Sequence, residues 1–308
     1  MPLANISDEA IIELYTLRDM LRWVVSQFNM ANLFYGHGTD NAWDEAVALV
    51  LHAVHLPPDI SPQVIDARLT TNERRKIVRL VLRRIKERIP IAYLTHEAWF
   101  AGLPFYVDQR VLIPRSPIAE LIQRHFSPWI AEENVTRILD LCTGSGCIAI
   151  VCALELSHAK VDAVDISQDA LAVAKLNIEK HNVAEQVQLV QSDLFTALKG
   201  HKYDIIVSNP PYVSMDEMAQ LPPEYRHEPA LGLAAGTQGL DFVTRILKEA
   251  PNYLTDHGIL IVEVGNSEVE LVNRYPLVPF TWLEFQQGEG GVFMLTAEQL
   301  KQVASYFN

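Results

Sequence analysis

Apolar residues recur with two different periods along this chain, and the change of period divides it. Up to about residue 90 the repeat is helical. Ser7 is placed as an N-cap, and Ile11, Leu14, Leu21, Val24 and Phe28 follow at helical spacing. The loop Tyr35-Gly-His-Gly-Thr39 precedes a second helix from about Asn41 to His55, and Pro57, Pro58 and Pro62 punctuate the next turn. Residues 71–88 predict a third helix with Ile77, Leu80, Val81 and Ile85 on one side.

From about Tyr93 the helical period is lost. Phe100 to Arg115 reads as extended and hairpin-like. After Val135 strands and helices alternate. The strands are Arg137–Leu141, Lys160–Asp165, Gln186–Ser192, Tyr203–Ser208 and Gly258–Val264, and the helices are Cys147–Leu156, Gln168–His181 and Leu240–Leu254. Phe280–Glu284 and Gly291–Thr296 close the chain as a hairpin. Such alternation predicts an α/β fold whose sheet is mostly parallel, with helices on both faces. The expected organisation is a small α-helical domain over 1–92, a connector with a β-hairpin over 93–134, and the α/β domain over 135–308.

Composition narrows the class. With 49% hydrophobic and 20% charged residues in 308, the chain is globular rather than disordered. Its three cysteines do not make a disulfide framework, and it opens without the cationic flank and apolar core of a signal peptide. No run reaches the length of a membrane helix, so a soluble, cytoplasmic protein is expected. The formal charge of -13 disfavours a nucleic-acid backbone and attracts basic partners. Residues 71–88 are the exception, with eight Lys/Arg against two Glu. They read either as a solvated helix face or as a contact for RNA or an acidic surface.

Three features carry chemistry. Asp140, Leu141, Cys142, Thr143, Gly144, Ser145 and Gly146 join the first strand of the α/β region to its helix. Glycines there let the backbone turn tightly, so that a ligand can approach the helix N-terminus. Asp165 ends the next strand, where a carboxylate can accept from both hydroxyls of a ribose. Asp193 ends the third; it suits an exocyclic adenine amine, with Leu194 against the ring, and suits a helix N-cap equally well.

The third feature is Asn209, Pro210, Pro211 and Tyr212 at the end of an apolar strand. Two prolines remove two N–H donors and fix two φ angles, leaving a stiff rim of carbonyl oxygens. Asn209 Oδ1 with the Pro210 carbonyl forms an acceptor pair for a planar NH2 group, and Tyr212 can stack on or flank that plane. Cys142, Cys147 and Cys152 are five apart and share no helix face, and His52 and His55 lack further ligands, so no metal is expected.

These motifs resemble the S-adenosylmethionine-dependent methyltransferases that act on planar amino groups. Ala92–Thr95, Val111–Arg115, Glu228-Pro229, Gly236 and Gly239 extend the likeness over nearly the whole chain to the HemK-type protein-(glutamine-N(5)) methyltransferases. The resemblance implies a Rossmann-like, class I methyltransferase domain. It implies that Asp140, Cys142–Gly146 and Asp165 hold the methionine and ribose parts of S-adenosylmethionine, and that Asp193 and Leu194 lie at the adenine. It also implies that Asn209 bridges cofactor and substrate within the Asn209–Tyr212 pocket, and that Phe100, or its neighbour Trp99, forms an aromatic wall.

Release-factor enzymes of that family usually continue Pro-Arg as Pro-Glu/Asp-Thr-Glu, whereas here Ser116-Pro-Ile-Ala-Glu120 follows. With the loop at 35–43, this is similar to the branch that methylates a glutamine of large-subunit ribosomal protein number three. Rival readings are a release-factor glutamine methyltransferase, a DNA or RNA amino-methyltransferase using the same Asn-Pro-Pro-Tyr, an S-adenosylmethionine-binding assembly factor without activity, and a nicotinamide dehydrogenase.

Overall fold

The computed structural model describes residues 3–286 and 290–307. The chain divides into two compact units, Met1–Glu97 with Pro222–His227, and Ala98–Leu221 with Glu228–Asn308. Nothing in the sequence marked the short return of Pro222–His227 to the helical unit.

The helical unit contains α1 (Leu3–Glu13), α2 (Leu17–Met30), α3 (Ala42–Ala53), α4 (Thr71–Glu87) and α5 (Ile91–Thr95). The single helical run expected from Ser7 is two helices, and Ser7 lies inside the first. Thr16 is the cap that starts the second: its Oγ1 accepts from the Asp19 N–H, and the Asp19 carboxylate accepts from the Thr16 N–H. Such reciprocal capping satisfies two donors that a helix start otherwise orphans, which is enough to break the run here. Thr70 and Glu73 start α4 in the same way.

Charge on α4 is mostly spoken for. Arg74 is buried over the Tyr15 ring and donates toward the Ile12 and Leu14 carbonyls. Arg84, 1% exposed, lies between Glu45 and Glu224, with N–O distances of 2.5 and 3.1 Å, and also donates to the Phe34 carbonyl. Lys76 meets His55, and Arg83 meets Glu87.

The second unit opens with the hairpin β1 (Ala98–Phe100) and β2 (Leu103–Phe105), followed by α6 (Ile118–Gln123). Then come β3 (Arg137–Leu141), α7 (Cys147–Glu155), β4 (Lys160–Asp165), α8 (Gln168–His181), β5 (Val187–Gln191) and β6 (Tyr203–Ser208). After α9 (Met215–Gln220) and α10 (Asp241–Glu249) come β7 (Leu254–Glu263), α11 (Glu268–Arg274), β8 (Thr281–Trp282), β9 (Val292–Thr296) and α12 (Ala297–Val303). The helix expected to reach Leu254 stops at Glu249, because Pro251 lacks the N–H to continue it and a 3-10 turn follows.

β1 and β2 pair only with each other, and the other seven strands form one sheet in the order β5-β4-β3-β6-β7-β9-β8. The first five of these are parallel and the last two pairings antiparallel. Alternate side chains leave a strand on opposite faces. Ile138, Ile205, Val207 and Ile261 accordingly pack with α6, α7 and α8, while Leu139, Ile206, Leu260 and Val262 pack with α10, α11 and α12. Both faces are covered, as the unbroken apolar runs of β3 and β6 require.

Candidate functional site

From β3 the chain moves outward to β4 and β5, then crosses back to lay β6 on the other side of β3, so the direction of winding reverses between β3 and β6. The crevice beyond the carboxyl ends of strands at such a reversal is where open α/β sheets hold ligands. A cavity of about 1010 Å³, including its open mouth, occupies that place. It is lined by the turn after β3 (Cys142, Thr143, Gly144, Ser145), the end of β4 (Asp165) and the end of β5 (Asp193, Leu194). The end of β6 adds Asn209 and Pro211. Three motifs from distant parts of the sequence thus face one space.

Backbone conformation shapes the turn. Cys142 and Gly144 take left-handed φ angles of 60° and 55°, and Leu194 takes 48°. For Cys142 and Leu194 that conformation costs roughly 1–3 kcal/mol each, strain that tends to concentrate at ligand sites. Gly146 is also left-handed, at φ 80°, and has a second reason: a Cβ there would press on Ala174, so glycine lets α7 start close against α8. Asp140 and Gly146 shape the turn from behind and do not line the cavity. Asp140 is fully buried; its Oδ2 accepts from the Thr143 hydroxyl and the Ala149 N–H, and its Oδ1 has no partner among the described residues. Burial pushes its carboxyl up to about 7, against the pull of those hydrogen bonds.

Asp165 accepts from the Gly144 N–H and the Ser167 N–H, each at 2.9 Å, which ties the β4 end to the glycine turn. Burial raises its carboxyl above the ordinary range, opposed by N–H groups of Ser167, Gly144 and Ile166. Asp193 does not act as a side-chain cap. Ser192 Oγ accepts from the Ala197 N–H instead, and the Asp193 carboxylate pairs with Arg245 at 2.9 Å.

The ledge at 209–212 is split in function. Asn209 is half-buried on the cavity wall with Pro211, while Pro210 and Tyr212 do not line the cavity. Tyr212 therefore does not stack over the cavity. Its Oη donates to Glu263 Oε1 at 3.0 Å, and its carbonyl accepts from Ser267 Oγ at 2.8 Å. Gly239, at φ 72°, leaves room for that carbonyl; a Cβ would overlap both it and the Ser267 hydroxyl. We expect Gly239→Ala to destabilise the fold by about 1–3 kcal/mol and to slow any reaction that uses the ledge. Thermal unfolding and turnover measured on the same preparation check this.

Phe100 is not an aromatic wall of this cavity. It is 4% exposed, edge-on to Phe105, within the core that includes Ile118 and Ile122. In a two-residue alternation one of Trp99 and Phe100 must face inward; here Phe100 does, and Trp99 is left half exposed.

Other contributors carried no signal of their role. Arg115 and Glu228 form a two-pronged pair at 2.7 and 2.9 Å, and Glu228 also accepts from the Ile113 N–H. They bind two cavity walls together, Val111–Ser116 and Pro229–Gly232. Asn177 on α8 donates to the carbonyls of Ser145 and Tyr106 and accepts from the Tyr106 N–H, pinning the glycine turn to the segment after β2. A buried, fully used asparagine inside a helix could have been noticed as a polar break in the pattern, but not its partners.

Residues 122–221 match the family described as Methyltransferase small domain. A protein of Xanthomonas campestris pv. campestris named ribosomal protein uL3 glutamine methyltransferase is 53% identical over 288 residues, covering 94% of this chain and 93% of that one. One of the same name from Francisella tularensis subsp. tularensis is 48% identical over 300 residues, covering 97% and 96%. Among solved structures, the catalytic domain of hMettl16 in complex with a MAT2A 3'UTR hairpin superposes with a TM-score of 0.52 at 21% identity, over 73% of this chain and 81% of that one. That likeness concerns the fold alone: a Rossmann-like methyltransferase domain. With half of its residues identical to two such relatives along nearly its full length, the chain belongs to the ribosomal protein uL3 glutamine methyltransferase family.

Proposed function

We propose that this chain transfers a methyl group from S-adenosylmethionine to the side-chain amide nitrogen, N(5), of a glutamine in ribosomal protein uL3. The carrying observation is that the Asn209 carboxamide shares one cavity with Asp165 and the left-handed turn at 142–144. Among the described residues that carboxamide has no protein hydrogen-bond partner, so it is available to a ligand. Bound S-adenosylmethionine supplies a methyl group activated by its sulfonium. The fit rests on the strained turn, which opens the helix start to the methionine part, and on Asp165, which accepts from the ribose hydroxyls. Asp193, steadied by Arg245, accepts from the adenine amine beside Leu194. No metal is needed for this transfer.

On this reading Asn209 Oδ1, on the cavity wall, accepts one N–H of the substrate amide, and the carbonyl of Pro210, next in the chain but outside the cavity lining, accepts the other. They hold its nitrogen in line with the methyl carbon and sulfur, which lowers the entropic part of the barrier. The acceptors strengthen as the nitrogen gains positive charge, so they favour the transition state over the ground state. The proton becomes acidic only once the methyl has arrived, and no general base is required at the start.

Charge distribution supports a basic protein as substrate. Of the chain's 25 Lys+Arg and 38 Asp+Glu, the helical unit holds 12 and 13, which leaves 13 and 25 on the unit with the cavity. A field of that sign speeds encounter with a basic ribosomal protein and repels a phosphate backbone. For the same reason a nucleic-acid amine is the poorer substrate. The basic segment offers little to ribosomal RNA: with Arg74, Lys76, Arg83, Arg84 and Arg88 engaged among the described residues, its exposed, uncommitted charge reduces to Arg75, Arg79 and Lys86. No helix among the described residues is long and apolar enough to cross a membrane. On this reading the enzyme works in the cytoplasm, where ribosomal proteins are made and assembled.

Incubation with methyl-labelled S-adenosylmethionine and undermethylated uL3, followed by mass mapping, tests the proposal; label on any residue other than glutamine overturns it. Asp165→Ala is expected to weaken S-adenosylmethionine binding at least ~10-fold, the scale of charge-assisted bonds to two hydroxyls. The sign with pH follows from the raised Asp165 carboxyl. Affinity is full above its pKa and is lost as pH falls through it, at a higher pH than for an ordinary aspartate. Calorimetry across pH should show that acid limb in the wild type and its disappearance in Asp165→Asn.

A further inference from the structure

Glu263 ends β7, an otherwise apolar strand, at 5% exposure. β6 and β7 pair in register through Ser208 and Val262, so Glu263 follows directly beside the start of the ledge. Its two oxygens are used by two different walls of the cavity unit. Oε1 accepts from Tyr212 Oη at 3.0 Å, and Oε2 accepts from Ser116 Oγ at 2.5 Å. Ser116 lines the cavity and in turn accepts from the Ile118 N–H, at the start of α6. The Tyr212 ring is confined from its other side by Gly265, where a Cβ would overlap the ring. An acid buried against two neutral hydroxyls is an expensive choice for a position where a leucine would pack without penalty. What it provides is one rigid node that both walls share.

We propose that Glu263 is a positioning residue for methyl transfer, fixing Tyr212 and Ser116 so that the Asn209–Pro211 ledge keeps its register with the cavity. Glu263 touches neither cofactor nor substrate; it acts through the two hydroxyls. Preorganised acceptors lose their advantage when their support loosens, even if the pocket still binds its ligands. The signature is thus a fall in kcat without a matching change in affinity. The inference rests on the amide-holding role given to Asn209.

The test uses the full chain with uL3 and S-adenosylmethionine. Glu263→Ala and Tyr212→Phe are each expected to lower kcat about tenfold or more, with KM for uL3 and calorimetric Kd for S-adenosylmethionine changed by less than about threefold. The double variant should be no slower than Glu263→Ala, because both changes remove one interaction. Glu263→Gln, which keeps the shape and one acceptor, should restore kcat to within about threefold of wild type. The proposal is overturned by Tyr212→Phe at the wild-type rate, by additive losses in the double variant, or by Glu263→Gln as slow as Glu263→Ala. If Glu263→Ala fails to fold, Tyr212→Phe and Ser116→Ala decide alone, each expected to lower kcat, and wild-type kcat in either overturns it. A wild-type enzyme that does not methylate uL3 would instead overturn the proposed function, which keeps the two failures apart.

Discussion

An Asn209→Ala variant is expected to lose at least ~100-fold in the rate of methyl transfer, the scale measured for removing one preorganised transition-state hydrogen bond. A carboxamide nitrogen is a poor nucleophile because its lone pair is delocalised into the carbonyl, a conjugation whose scale is the ~18–20 kcal/mol rotation barrier of an amide. As nitrogen attacks, that conjugation is lost and its N–H groups become more acidic. An acceptor already in place gains about 1.5–3 kcal/mol per charge-assisted bond. Asn209 follows the end of β6, a fully buried strand, and lies in a ledge stiffened by Pro210 and Pro211 and held through Tyr212 by Glu263. Water entering the alanine variant could accept the same proton but would have to be ordered at the moment of reaction. Binding of S-adenosylmethionine should change far less than the rate, since Asp165 and the turn at 142–145 remain. Single-turnover rates beside calorimetric Kd values measure the two separately, and a variant with a near-normal rate would remove Asn209 from the mechanism.

Arg84→Met should be the most damaging single change to stability, at about 3–5 kcal/mol. Arg84 is held between two buried carboxylates, and its guanidinium also satisfies the Phe34 carbonyl. Methionine fills much of the volume but leaves Glu45 and Glu224 facing each other without a buried counter-charge. Arg88 reaches Glu224 only at 3.4 Å and is itself one-third exposed. Burial already pushes the Glu45 carboxyl above its ordinary value even with Arg84 present. Without Arg84 that rise grows, and the penalty for ionising Glu45 in the folded state grows with it. The sign in pH follows: the variant's deficit is small where Glu45 is protonated in both states, and it widens as pH rises above the unfolded carboxylate pKa. Urea unfolding of both proteins at pH 5 and pH 8 reads this directly. An equal gap at the two values would refute the account.

Legibility in the sequence varied with how local each determinant was. β3, β4 and β6 carry the bounds expected for them, because apolar runs ending in Asp-Leu-Cys, Asp-Ile-Ser and Asn-Pro-Pro change character within two residues. The start of α2 was misplaced because Ser7 and Thr16 are both acceptable caps by type. Only the Asp19 side chain folding back on Thr16 distinguishes them. Phe100 illustrates a different limit. Two adjacent aromatics on one strand announce that one faces inward and the other outward, but not what lies on either side.

By itself the sequence determined the alternation of strands and helices from β3 to β6, the glycine turn after β3, and the stiffness of the rim at 209–212. These follow from period, glycine and proline, which act within a few residues. Tertiary structure alone decided who holds whom. The pairs Arg115–Glu228, Arg84–Glu224 and Ser116–Glu263 are 113, 140 and 147 residues apart. It also decided that Tyr212 braces the ledge rather than covering the cavity. Such partners are chosen by which distant segments packing brings side by side, in the helical unit for Arg84–Glu224 and around the sheet for the other two, and that is a property of the whole fold rather than of any short stretch of chain.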